Sequence, residues 1–162
     1  MEHHKADALL DLLCRHFPEE NLPKSCRTVL QTPRKVVLIE MPPGKYFHFG
    51  LFKGLLGILK TFLVDAWFDI FIHFDGLPLE KSTNKQMWPI LCRVKTDRGE
   101  FSHVFCVGSW VGCGKPIDSN DYLSRLVDEL DPLLNEGIVI GNRRLTVRNI
   151  ASICDAPAKS YV

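Results

Sequence analysis

Hydrophobic positions along the chain fall into blocks of helical and strand-like spacing. Leu9, Leu10, Leu12, Leu13 and Phe17 recur at near-helical intervals over residues 6–17, and Pro18 stops the run, which predicts a short amphipathic helix. A polar connection follows, with breaks at Pro23 and Pro33 and positive charge at Lys24, Arg27, Arg34 and Lys35; a solvated loop is the ordinary meaning of such a stretch. Residues 36–41 read as a strand, Pro42-Pro43-Gly44 as a turn and residues 45–49 as the hairpin partner. Residues 50–62 then return to helical spacing with Leu51, Leu55, Ile58 and Leu59 inward, and Tyr46, Phe47, Phe49 and Phe52 read as core rather than as a base-stacking platform.

The second half of the chain is richer in strands. Ile70 to Phe74 is β-branched and aromatic and apolar on both faces, which predicts a central strand covered on both sides. Asp75-Gly76 ends it, and a polar loop runs on to Trp88-Pro89. Residues 90–96 and 102–111 flank an Asp97-Arg98-Gly99 turn and complete a three-stranded meander. Asp118 or Ser119 caps a helix whose stripe is Tyr122, Leu123, Leu126, Val127, Leu130, Leu133 and Leu134; Pro132 is expected to kink or split its last turns, and Gly137 ends it. A Gly141-Asn142 hairpin turn leads into the last strand, residues 143–154, which ends in Asp155 followed by Ala156-Pro157.

Two acids therefore close two strands. A meander followed by one helix is the order that returns a strand parallel to an earlier one, so Asp75 and Asp155 are expected at the same sheet edge. An Asp-Gly turn is the commoner meaning of Asp75 taken alone, but ligand sites in α/β sheets gather at the carboxyl ends of strands, and a pair of acids there is a candidate metal site. Asp128 and Glu129 sit near the border of the helical stripe and are further acids within reach, although exposed helix acids are usually solvated.

Composition narrows this picture in three ways. With 20 Lys and Arg against 19 Asp and Glu, the chain has no strongly basic surface of the kind that announces a nucleic-acid partner. The 162 residues correspond to about one domain, and 46% hydrophobic content supports a real core. The six cysteines stand singly and, with the histidines, match no zinc spacing, so reduced thiols of an intracellular protein are expected. The most apolar stretch, residues 49–68, is broken by Lys53, Lys60 and Asp65 and predicts a core helix, not a membrane span. Gly108, Gly112, Gly114 and Lys115 match a phosphate-cradling loop only loosely, because Pro116 stands where a Ser or Thr is needed.

Three motifs, FDGLPLEKSTNKQMWPIL, GCGKPIDSNDYLSRLVDELDPLLNEG and ICDAPAKSY, in this order and spacing, resemble the transposase-domain proteins of animal genomes related to the CACTA (En/Spm) class of cut-and-paste DNA transposases. The upstream LPKSCRTVLQTP and PPGKYFHFG extend the likeness over nearly the whole chain. The resemblance implies an α/β, RNase H-like core of sheet order 3-2-1-4 over residues 66–162, with residues 1–65 as an N-terminal helix and β-hairpin appendage. It carries the first two acids of the family onto Asp75 and Asp155 as catalytic and metal-ligating residues, and implies Mg²⁺ or Mn²⁺ as cofactor, DNA as partner and the nucleus as location. Metal held between such carboxylates activates water or a DNA 3′-hydroxyl for in-line attack on a phosphodiester.

The family's third acid lies beyond the point where this sequence ends, so the expectation is a truncated core, inactive alone. Its last strand would leave an open edge with an apolar patch along Leu145, Val147, Ile150 and Ile153, prone to self-association. Glu129 is the first internal acid to consider as a substitute. Lys115, Trp88 and Ser82 lie near the expected site without an assigned role. A non-catalytic DNA- or protein-binding module, or a fragment without function, stays open beside the enzymatic reading.

Overall fold

A computed structural model describes residues 3–30, 36–61, 64–80, 82–155 and 158. The chain divides into two compact units, Met1–Val37 and Leu38–Val162. In the first unit, α1 (His3–His16) is followed by a 3₁₀ turn at Pro18–Glu20 and a single-turn helix, α2 (Cys26–Val29). The Asp7 carboxylate accepts the Cys26 N–H at 2.6 Å and Ser25 caps α2 by accepting from the Thr28 N–H at 3.3 Å, so polar contacts hold this short unit together. Leu9 and Leu12, expected on a buried stripe, are more than half exposed. Pro33, Arg34 and Lys35 lie outside the described residues.

The second unit begins with a hairpin, β1 (Ile39–Met41) and β2 (Gly44–His48), and α3 (Leu51–Thr61). It continues with β3 (Trp67–Phe74), β4 (Leu77–Pro78), β5 (Lys85–Thr96), β6 (Phe105–Cys113), α4 (Ser119–Glu136), β7 (Ile138–Ile140) and β8 (Arg143–Cys154). The strands form one mixed sheet in the order β1-β2-β6-β5-β3-β8-β7, with β4 against β5. Among the described strands only β3 and β8 pair in parallel, and α4 with β7 makes the crossover between β6 and β8. The protein is thus a mixed α/β structure.

Helices α3 and α4 cover one face. Gly54 on α3 lies against the Phe105 ring, and Tyr122 on α4 meets Tyr46 of β2 edge to face, with ring centroids 6.1 Å apart. Beneath them Phe68, Ile70, Ile72, Phe74, Ile90, Cys92 and Val94 are buried, which is the alternation expected of one packed face. The opposite face of β3, where Trp67, Phe71 and His73 are half-buried, corrects the expectation of a strand covered equally on both sides.

Several sequence-based boundaries shift for physical reasons. The hairpin and α3, expected within an appendage running to residue 65, belong to the main unit: β2 joins its sheet by pairing β6 from Gly44↔Gly112 to His48↔Gly108, and α3 lies in the same compact unit. The stretch expected as a polar loop before Trp88 is a β4–β5 hairpin, Leu77↔Met87 and Pro78↔Gln86. Pro89 is accommodated inside β5 because it falls in the gap between the end of β3, opposite Ile90, and β4, opposite Met87. Helix α4 runs unbroken through Pro132, whose missing hydrogen bond would have gone to the carbonyl of Asp128, on the exposed side. Asp118 is its N-cap, accepting the Asn120 N–H at 2.8 Å. Of the helix expected over residues 50–62, Phe62 lies outside the described residues.

The open edge is only partly as the sequence implies. β7 pairs β8 over Arg143, Arg144 and Leu145, so Leu145 is buried, while Thr146–Cys154 have only β3 as a described strand neighbour. Ile150 and Ile153 are 36% and 46% exposed but pair with Ile70 and His73, residues of opposite parity. Ile150 thus shares the face of Val147, which pairs Phe68, whereas Ile153 faces the other side of the sheet, so the four residues do not form one continuous patch.

Candidate functional site

Parallel pairing of β3 with β8 ends at Phe74↔Cys154, so the next residue of each strand, Asp75 and Asp155, leaves the sheet at the same edge. Both line one open cleft of ≈ 450 Å³, together with Gly76, Gln86, Trp88, Gly114, Lys115 and Ala158. Although Asp75 ends a strand that is buried on one face, the residue itself is exposed, as is Asp155, so neither carboxylate bears the cost of burial. Ala156 and Pro157 lie outside the described residues, but Asp155 Oδ1 accepts the Ala158 N–H at 2.8 Å, in the manner of a helix cap.

The other wall is built by the start of β5 and the end of β6, which extend past the end of β3. Trp88 is the floor: a Cβ at Gly76 would lie 2.8 Å from its indole, so only glycine lets the chain after Asp75 cross that ring. The Trp88 Nε1–H donates to Gln86 Oε1 at 2.9 Å. At the end of β6, Lys85 pairs Cys113, the Gly114 N–H donates to Asn84 O at 2.7 Å, and Gly114 takes φ +80, a left-handed turn that carries Lys115 to the cleft. Ser82 is exposed in the β4–β5 turn and does not line the cleft.

Glu129 does not reach this site. Its Oε2 accepts the Leu51 N–H at the first turn of α3 and lies 3.2 Å from His48 Nε2, while His48 Nδ1 lies 2.8 Å from the hydroxyl of the fully buried Tyr46. Glu129 therefore caps a helix and anchors a part-buried polar relay that ends on Tyr46 in the core, and burial drives the Tyr46 hydroxyl far above its ordinary value. Asp128 is exposed and lines no part of the cleft.

Among the described residues no cluster of three or more His, Cys, Asp or Glu side chains is placed to hold a metal ion. Two carboxylates, one with an oxygen already accepting a backbone N–H, suit a hard divalent cation that keeps much of its water shell and completes its coordination with phosphate oxygens. They do not suit a cation caged by protein alone.

A second polar cluster on the same strands was missed by sequence reasoning. The β3–β8 register slips between Phe68↔Val147 and Asp69↔Asn149, leaving Arg148 as the extra residue of a bulge. Arg148 donates from Nε and Nη2 to the two oxygens of Asp69 at 2.9 and 2.5 Å and stacks on the Trp67 ring at 3.5 Å, and Asn149 Nδ2 adds a third bond at 3.1 Å. The Arg148 guanidinium holds the buried Asp69 carboxyl below the usual carboxylate value, against the opposing pull of burial, and Asn149 reinforces it. The signal was present: the apolar positions Leu145, Val147 and Ile150 lengthen their spacing by one residue at the bulge.

All six cysteines are free thiols, and burial pushes Cys92 up to about 12. No described helix is long and apolar enough to cross a membrane. Comparison with protein-family models, with curated proteins and with solved structures returned no match.

Proposed function

We propose that the Asp75–Asp155 cleft is the cation and DNA site of a phosphodiester-processing domain of the CACTA transposase class, built on an RNase H-like core. The observation that carries the reading is the parallel pairing of β3 and β8, which delivers two carboxylates to one cleft. The run β6-β5-β3-β8 supports the 3-2-1-4 core order, with β3 as its first strand. When bound, Mg²⁺ or Mn²⁺ supplies a Lewis acid that activates a hydroxyl or water and stabilises the leaving oxygen. Asp75 and Asp155 hold that charge; Trp88 and Gly76 fix the loop from which Asp75 projects.

With two carboxylates in the cleft and Glu129 engaged elsewhere, the cation is held weakly, and DNA cutting by these residues alone stays at background. The partner is DNA, in the nucleus, and the outer edge of β8 beyond Leu145, which has no strand partner among the described residues, favours self-association. Calorimetric titration of the full chain with Mn²⁺ tests the site. Wild type is expected to bind one ion weakly, with Asp75→Asn and Asp155→Asn each reducing affinity about tenfold or more. Equal Mn²⁺ binding by wild type and both variants would sink the assignment and favour a non-catalytic module.

A further inference from the structure

The two walls of the cleft are chemically opposite, and Gln86 and Lys115, on the wall across from the acids, have no role in the reading above. Its polar orientation follows from one bond. An indole N–H can only donate, so the atom 2.9 Å from Trp88 Nε1 is the amide oxygen of Gln86, and what this cleft-lining residue has left to give a ligand is its NH₂ group. Beside it the Gly114 turn brings Lys115, the cationic residue of the lining, to the same cleft. One wall thus offers two carboxylates that only accept, and the other offers an ammonium and an amide that donate. A divalent cation needs the first and a phosphate oxygen needs the second.

We infer that Gln86 and Lys115 form a phosphate-binding wall that seats a phosphodiester of a nucleic-acid strand against Asp75 and Asp155. The inference rests on the DNA-processing reading for the identity of the phosphate, and on the geometry alone for the wall. Lys115 supplies charge and Gln86 supplies direction, since its amide is pinned by Trp88 while the lysine stem is flexible. Both are positioning residues: they orient the strand and leave its cleavage to the cation side.

The test is fluorescence anisotropy of the full chain with a short labelled oligothymidylate in metal-free buffer, where the cation side contributes only repulsion. Lys115→Met is expected to weaken binding about tenfold and to flatten the salt dependence by roughly 0.7 in log–log slope, the loss of one phosphate contact on a single strand. Lys115→Arg should retain both. Gln86→Glu keeps an oxygen for Trp88 but replaces the NH₂ by a second oxygen, so oligonucleotide binding should fall several-fold while the unfolding midpoint holds. The same variant adds a third carboxylate to the cleft and should tighten Mn²⁺, whereas Asp75→Asn should weaken Mn²⁺ and leave metal-free oligonucleotide binding equal or stronger.

Wild-type affinity and salt slope in Lys115→Met, or unchanged binding in Gln86→Glu, would overturn the wall. Competition by inorganic phosphate as effective as by unlabelled oligonucleotide would overturn the nucleic-acid assignment. Absence of Mn²⁺ binding in wild type strikes the cation reading and leaves the metal-free comparison intact, so the two failures are distinguishable.

Discussion

Strands β3 and β8 carry acids at both ends of their shared ladder, and the two ends treat them in opposite ways. At the start, Asp69 is 4% exposed and meets a bidentate guanidinium, a side-chain amide and a stacked indole behind that guanidinium. At the finish, Asp75 and Asp155 stand exposed in an open cleft whose far wall carries hydrogen-bond donors. A carboxylate buried against a fixed partner is part of the architecture, because its charge is already answered. Carboxylates gathered in solvent at strand ends keep most of their lone pairs for whatever enters, Asp155 giving one oxygen to the Ala158 N–H. Proximity on one strand pair therefore says little about role; burial and the existing partners decide it.

The sharpest way to break that contrast is to remove one acid from each end. Asp69→Ala strands the Arg148 guanidinium over Trp67 and opens the bulge. Breaking a buried pair costs about 3–5 kcal/mol, and because Arg148 is 46% exposed and water can reach it, about 2–3 kcal/mol is expected here. Asp75→Asn should stay within about 0.5 kcal/mol of wild type, as for an exposed surface change. Urea unfolding of the two variants measures both. Similar losses at the two sites would mean that Asp75 is structural as well, and the cleft would lose its claim to be a ligand site.

Acid titration sharpens the same comparison. Asp69 has a folded pKa below its unfolded value of about 3.9, so its stabilisation is complete above that value and disappears as pH falls through the folded pKa. The stability difference between wild type and Asp69→Asn should be flat above about pH 5 and shrink below about pH 4. Asp97 shifts the same way: burial would raise its pKa, but the N–H groups of Ala66, Asp65 and Trp67 outweigh it, and this contribution cancels in the difference because both proteins carry it. A difference that grew on acidification would reverse the sign and remove Arg148 as the partner that matters.

What the sequence made legible follows from which forces are local. The strand ending at Asp75, its return partner ending at Asp155, and the centre of the α4 stripe could be read because period and punctuation are written in neighbouring residues; Tyr122, Leu126 and Leu133 are buried as expected, while Val127 and Leu134 at the stripe's border are exposed. Pro89 inside β5 could not, since its tolerance depends on where β3 and β4 leave a gap. Nor could the orientation of Gln86, which is set by an indole two residues on only once both share a strand face. Glu129 read as a spare acid because helical spacing shows which face it occupies and not that the N-terminus of another helix sits there. Partner identity is non-local information, and charged side chains carry it most.

The smallest expected effect separates two roles within one residue. Asp155 holds the Ala158 N–H with one oxygen and borders the cleft, so it is both a cap and half of the proposed cation pair. Asparagine can cap as well as aspartate, whereas alanine cannot. Asp155→Asn should therefore keep the unfolding free energy within a few tenths of a kcal/mol of wild type, and Asp155→Ala should lose about 1 kcal/mol. Mn²⁺ affinity should fall alike in both, because both remove the charge. If Asp155→Asn kept its Mn²⁺ affinity while Asp155→Ala lost it, the residue would serve only to hold the chain after β8 in place. The cation would then rest on Asp75 alone, and the two ends of the β3–β8 ladder would differ in exposure but not in purpose.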